Sequence, residues 1–203
     1  MWAVGVEWLV ADLGGVCARF RPDRRMTALA TATGLAAHDL QTRLFTSGFD
    51  HDAEVGVYPA DRIVDEVLAR LDRRVSADAL IEAWSAAYEP NPPVLTLLRA
   101  AHVPVCLFTN NGPLLDACLA GPLAALGARF DMVLASWALA ARKPDPLAFD
   151  RVSARLGARA DALLFVDDSP DNVLTAQALG WHAVRYDGDD AVLGSVLAAH
   201  GVV

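Results

Sequence analysis

The chain has 203 residues, 54% hydrophobic and 21% charged, with 14 Gly and 11 Pro, which suits one well-buried core with a smaller appended unit and excludes long disorder. Its formal charge of −8 argues against a nucleic-acid partner, which calls for a basic stripe. Every apolar run is broken by charge, Gly or Pro before the roughly 18 residues of a membrane span, so small molecules are the expected partners, with no membrane and no sign of an oligomeric state.

Residues 1–10 carry Glu7 and no basic lead, so no signal peptide is expected and a cytoplasmic location is the default. Cys17, Cys106 and Cys118 are odd in number and widely spaced, a pattern of buried free thiols. Residues 4–11 form an apolar, β-branched run ending at Asp12 and Gly14-Gly15, which predicts a buried strand and a tight turn. No strand is expected from 22 to 87; helical spacing of apolar residues predicts helices over 24–33, 38–46, 59–71 and 76–87, the last capped by Ser76. The run Glu89-Pro90-Asn91-Pro92-Pro93 reads as a hinge, because consecutive prolines fix φ and push their predecessors out of the helical region.

Beyond it the pattern alternates. Helices are predicted over 94–102, 114–126, 146–156, 172–179 and 191–200, and strands over 103–108, 132–135, 163–166 and 182–186. Such alternation implies right-handed βαβ units and a parallel sheet covered on both faces, an α/β fold with a Rossmann-like core. Residues 1–17 and 90–203 then form the core, and 18–89 form an inserted helical cap.

Ligands of an open parallel sheet bind at the carboxyl ends of its strands. Four such ends carry polar groups: Asp12, Thr109, Lys143 in the loop Arg142-Lys143-Pro144-Asp145, and Asp167-Asp168. Taken singly, each has a plain structural role: Asp12 can organise its turn, Thr109 cap a helix, Lys143 be solvated and Asp168 start an Asx-turn. Their order at the ends of successive apolar runs is more specific.

In that order they resemble the four motifs of the haloacid dehalogenase superfamily: Asp12-Leu13-Gly14-Gly15-Val16, Thr109-Asn110-Asn111, Lys143-Pro144-Asp145, and Asp167-Asp168-Ser169-Pro170-Asp171-Asn172. The helical insertion matches the C1 cap of one branch, which includes bacterial sugar-phosphate (glucose-1-phosphate) phosphatases. The resemblance implies hydrolysis of a small-molecule phosphate ester through an aspartyl-phosphate on Asp12. It implies Mg²⁺ held by Asp12, Asp167, Asp168 and the Gly14 carbonyl, a cation that offsets about three carboxylates which Lys143 alone does not balance. Lys143, Thr109 and Asn110 would bind the phosphoryl oxygens, with Thr109 and Lys143 serving catalysis beside Asp12.

One departure stands out. Most phosphatases of this superfamily carry a second Asp two positions after the nucleophile as general acid and base, and this chain has Gly14. His51, Asp50 and Asp52 are candidate substitutes, set against a plain surface loop. Trp84, Tyr88 and Phe49 could line a substrate pocket or be simple packing, and Arg19 and Arg21 could reach the substrate or be solvated. Two other readings remain: a 2-haloacid dehalogenase, disfavoured because an acidic pair would repel a carboxylate substrate, and a non-catalytic binding or regulatory protein, disfavoured by the retained motif residues.

Overall fold

The computed structural model describes residues 5–203. Expectations that fall on residues 1–4, including the first residue of the opening strand, lie outside them. β1 (Trp8–Ala11) opens the fold, and β2 (Ala18–Phe20) and β3 (Tyr88–Pro90) pair antiparallel at the two ends of the inserted segment. Between them run α1 (Pro22–Thr33), α2 (Ala37–Leu40) continuing as a π-helical stretch over Gln41–Thr46, α3 (Phe49–Glu54), α4 (Ile63–Arg70) and α5 (Ala77–Ser85).

The rest of the chain alternates: α6 (Pro92–Ala100), β4 (Val105–Thr109), α7 (Leu114–Ala120), α8 (Ala124–Gly127), β5 (Met132–Ala135), α9 (Ser136–Leu139) and α10 (Pro146–Leu156), then β6 (Leu163–Asp167), α11 (Pro170–Ala178), β7 (His182–Arg185) and α12 (Asp190–Ala199). Pro lies in the opening turn of α1, α6, α10 and α11, where its missing N–H costs nothing. Ser76 accepts the Ala79 amide at 3.3 Å to start α5, as its sequence position predicts.

Five parallel strands lie in the order β5-β4-β1-β6-β7. The chain builds outward from β1 on one side and then on the other, so β1 lies at the switch point of the sheet. The period of two sends alternate residues to opposite faces. Leu9, Leu107 and Leu164 pack with α6 and α12 on one face, while Val10, Phe108 and Phe165 pack with Phe149 of α10 and Trp181 on the other. Both faces are therefore covered, which is why these strands read as continuous apolar runs.

Several short elements leave no signal in the sequence, among them β2, β3, α3, α9 and a 3-10 turn over Ala160–Ala162. β2 and β3 have three residues each, too few for alternation to show, and the proline of β3 sits in a two-stranded pair where it is tolerated. α3 and α9 span six and four residues, under two helical turns. The helix expected over 114–126 is interrupted between α7 and α8, where Gly121 is non-helical and Pro122 follows. The proline-rich run closes β3, and Asn91 donates to the Val16 carbonyl at 3.0 Å before Pro92 opens α6. Among the described residues no helix is long and apolar enough to cross a membrane.

Candidate active site

The carboxyl ends of β1, β4 and β6 bring the predicted polar residues together. Lys143 is the centre of the group: its Nζ donates to Asp12 Oδ1 at 2.7 Å, to Asp167 Oδ2 at 2.7 Å and to the Phe108 carbonyl at 2.9 Å. Burial alone would discharge this lysine, but the two carboxylates outweigh it and hold its pKa above the usual lysine value. Burial pushes the Asp12 carboxyl up to about 6, opposed by Lys143 and assisted by Asp167. Asp12 still ionises at neutral pH.

Asp167 is buried and its lone pairs are fully engaged. Oδ1 accepts the Ser169 amide at 2.8 Å and Asn172 at 3.0 Å, while Oδ2 takes Lys143 and a second contact from Asn172 at 3.1 Å. Asp168, by contrast, is exposed. Gly15 has φ +82°, and a β-carbon there would sit 2.2 Å from Asp168 Oδ2. Only glycine allows both that backbone and that approach.

Asp12, Asp167 and Asp168 each offer an oxygen, and the three atoms lie within 4.8 Å of one another. An all-oxygen, net negative donor set of this span suits a hard divalent cation such as Mg²⁺. Asp167 is the most heavily hydrogen-bonded of the three, whereas Asp12 Oδ2 and Asp168 accept no side-chain hydrogen bond among the described residues.

Thr109 Oγ1 accepts from Asn111 Nδ2 at 2.8 Å, which leaves its own proton free to donate. Asn110 lines the cavity beside them. Its amide accepts the Lys143 N–H and donates to the Lys143 carbonyl, both at 2.9 Å, so its side chain anchors the lysine loop.

Above this floor lies a cavity of about 280 Å³ whose walls come from α1, α3, α4 and α5 as well as the sheet. Phe49, Trp84 and Tyr88 line it while being buried, so pocket wall and packing are both their role. Asp50 lines it too. His51 does not; it accepts from Arg142 Nη1 at 3.0 Å, and Asp52 is also outside the lining. Arg19 and Arg21 face Glu89 on the surface, at 4.0 and 3.6 Å. The sequence reading missed Arg25, Glu54 and Arg142, which line the cavity. It also gave no role to Asn111 and Asn172, although both stand inside its motifs.

The family model for haloacid dehalogenase-like hydrolases matches residues 9–180. The chain belongs to that family. It is 29% identical over 192 residues to a phosphatase of Mycobacterium tuberculosis, covering 91% of this chain and 88% of that protein. It is 30% identical over 189 residues to a phosphoglycolate phosphatase of Pseudomonas putida, covering 90% of this chain and 61% of that relative, so the chain spans only about three fifths of the latter. Among solved structures, a family enzyme of Bacteroides thetaiotaomicron in complex with magnesium and inorganic phosphate superposes with a TM-score of 0.69 at 22% identity, over 91% of this chain and 96% of that one. At that identity the likeness speaks for the fold alone.

Proposed function

We propose that this family member, a hydrolase of phosphoric monoesters, cleaves a small phosphate ester such as a sugar phosphate through an aspartyl-phosphate on Asp12, with Mg²⁺ held by Asp12, Asp168 and the Gly14 carbonyl. The observation that carries this reading is the buried Asp12–Lys143–Asp167 chain beside the exposed Asp168. The phosphatase names of the curated relatives support it over halide displacement. When bound, the cation would supply positive charge to the transferring phosphoryl group.

Asp12 attacks phosphorus, the P–O bond to the leaving group breaks, and the leaving oxygen takes up a proton. Water then hydrolyses the acyl phosphate and regenerates the carboxylate. Lys143 holds Asp12 in place and faces the phosphoryl oxygens with its charge, and the Thr109 hydroxyl donates to one of them. Asp167, clamped by Ser169 and Asn172, and the Asn110 side chain, clamped to the lysine backbone, fix that lysine. In this reading residues 18–89 act as the cap over the cavity.

Chelation tests it. EDTA abolishes hydrolysis of phenyl phosphate, and added Mg²⁺ restores it. Full activity in EDTA, with halide released from a 2-haloacid, would overturn the reading in favour of a dehalogenase.

A further inference from the structure

Arg25, on α1, is 5% exposed and lines the cavity that also holds Asp12. Its Nε donates to the Trp84 carbonyl at 3.1 Å, the one hydrogen bond of its side chain among the described residues. The guanidinium carbon lies 4.5 Å from the Trp84 ring centre, with Tyr88 and Phe20 at 5.3 and 5.4 Å. Nη2 is sealed with no partner, so it does not face the cavity; Nη1 also has no hydrogen bond among the described residues but is not sealed, and it is the donor open to the cavity. No carboxylate stands within 4.0 Å of this arginine among the described residues. A permanently charged fork, buried with its donors unmade, is costly to the fold, and its place on a substrate cavity supplies the reason to keep it.

The counterpart lies on α3. Asp50 lines the same cavity, is half-buried and accepts no side-chain hydrogen bond from any described residue. Burial pushes its carboxyl up, with Arg25 and Arg142 opposing. The neighbouring Glu54 is paired with Arg142 at 3.2 Å. This half of the cavity therefore presents both signs, Arg25 and Arg142 beside Asp50 and Glu54. A carboxylate on the substrate would gain from Arg25 and lose to Asp50, whereas a hydroxyl both donates and accepts and can satisfy Arg25 and Asp50 together.

We propose that Arg25 and Asp50 form the leaving-group subsite, selecting an uncharged, polyhydroxylated leaving group over one that carries a carboxylate. This inference rests on the phosphatase reading above. Phe20, which lines the cavity and is 47% exposed, offers the apolar face on which the C–H side of such a group can lie.

The test compares kcat/KM for a hexose phosphate, phosphoglycolate and phenyl phosphate in the wild type, Asp50→Asn and Arg25→Lys proteins, all with Mg²⁺. The wild type prefers the hexose phosphate to phosphoglycolate. In Asp50→Asn the ratio of hexose phosphate to phenyl phosphate falls by roughly ten- to a hundredfold, as expected for a lost hydrogen bond to a charged group, through KM more than kcat. The ratio of phosphoglycolate to phenyl phosphate rises. Arg25→Lys lowers the hexose ratio as well; because Arg25 is buried, a failure of that variant to fold leaves the half-buried Asp50 to decide. Unchanged ratios in a folded Asp50→Asn protein, or a wild type that prefers phosphoglycolate, overturn the subsite while phenyl phosphate turnover leaves the phosphatase reading standing. No turnover of any of the three overturns both.

Discussion

The two halves of the cavity are built on different principles. On the sheet side, Lys143 makes three bonds, Asp167 four, and Asn110 fixes the lysine backbone at both ends of its amide. On the helical side, Arg25 has one bond, Asp50 none, and Glu54 a single ion pair. The first half is preorganised, so its charges do not have to rearrange during a reaction. The second holds polar groups in reserve for a substrate. On the reading proposed above, chemistry and selectivity are separated in space, and each half can be broken without the other.

The largest effect comes from the sheet side. Asp12→Asn preserves the shape of the side chain and an oxygen for Lys143, but an amide is no nucleophile; we expect turnover to fall by at least about 10⁴-fold with little change in the thermal midpoint. Comparable rates in a contaminant-free preparation would move the reaction off Asp12 and dissolve the division between the halves.

This separation also governs what the sequence reveals. Asp12, Thr109 and Asp167 stand directly after apolar runs, so the continuous apolar pattern that predicts each strand also predicts where its polar end will be; Lys143 lies in a loop and was legible through its motif. Asn110 was legible as a member of the site, but its anchoring of the lysine loop was not, because a side chain that bonds a backbone 33 positions away leaves no local trace. Arg25 and Glu54 carried no signal at all. Arg25 sits among three other arginines between 19 and 25, and only the packing of Phe20, Trp84 and Tyr88 distinguishes it. Glu54 ends a helix too short for periodicity to mark.

A second, intermediate effect asks which half supplies the proton to the leaving oxygen. Gly14 has no acid to offer. A β-carbon there would meet only Phe20, at 3.6 Å, and its φ is not in the left-handed range, so Gly14→Asp fits the turn. If the cap provides no substitute, wild-type rates depend on leaving-group acidity, with a sugar 1-phosphate outrunning the 6-phosphate of the same sugar. Gly14→Asp then speeds the 6-phosphate by about 10²-fold and flattens the dependence. Equal wild-type rates for the two esters would place the acid on the helical side, where Asp50 and Glu54 are the carboxyls lining the cavity.

The smallest effect measures how incompletely the helical side is compensated. Burial pushes Glu54 from 4.5 up to about 7; Arg142 opposes the shift and Asp50 adds to it. Between those two values the folded protein keeps a proton that the unfolded chain has lost, so this carboxyl makes stability fall as pH rises from about 4.5 to about 7 and adds no further slope above. Glu54→Gln removes that slope. Urea denaturation of the metal-free protein at pH 5 and pH 8 then shows the variant gaining on the wild type at the higher pH by about 1–2 kcal/mol, a figure kept below the full shift because the group is partly open to the cavity. Parallel pH dependences in the two proteins would mean that Arg142 holds Glu54 ionised and fully paired at neutral pH, as Lys143 holds Asp12, and the helical wall would then be as well compensated as the sheet beneath it.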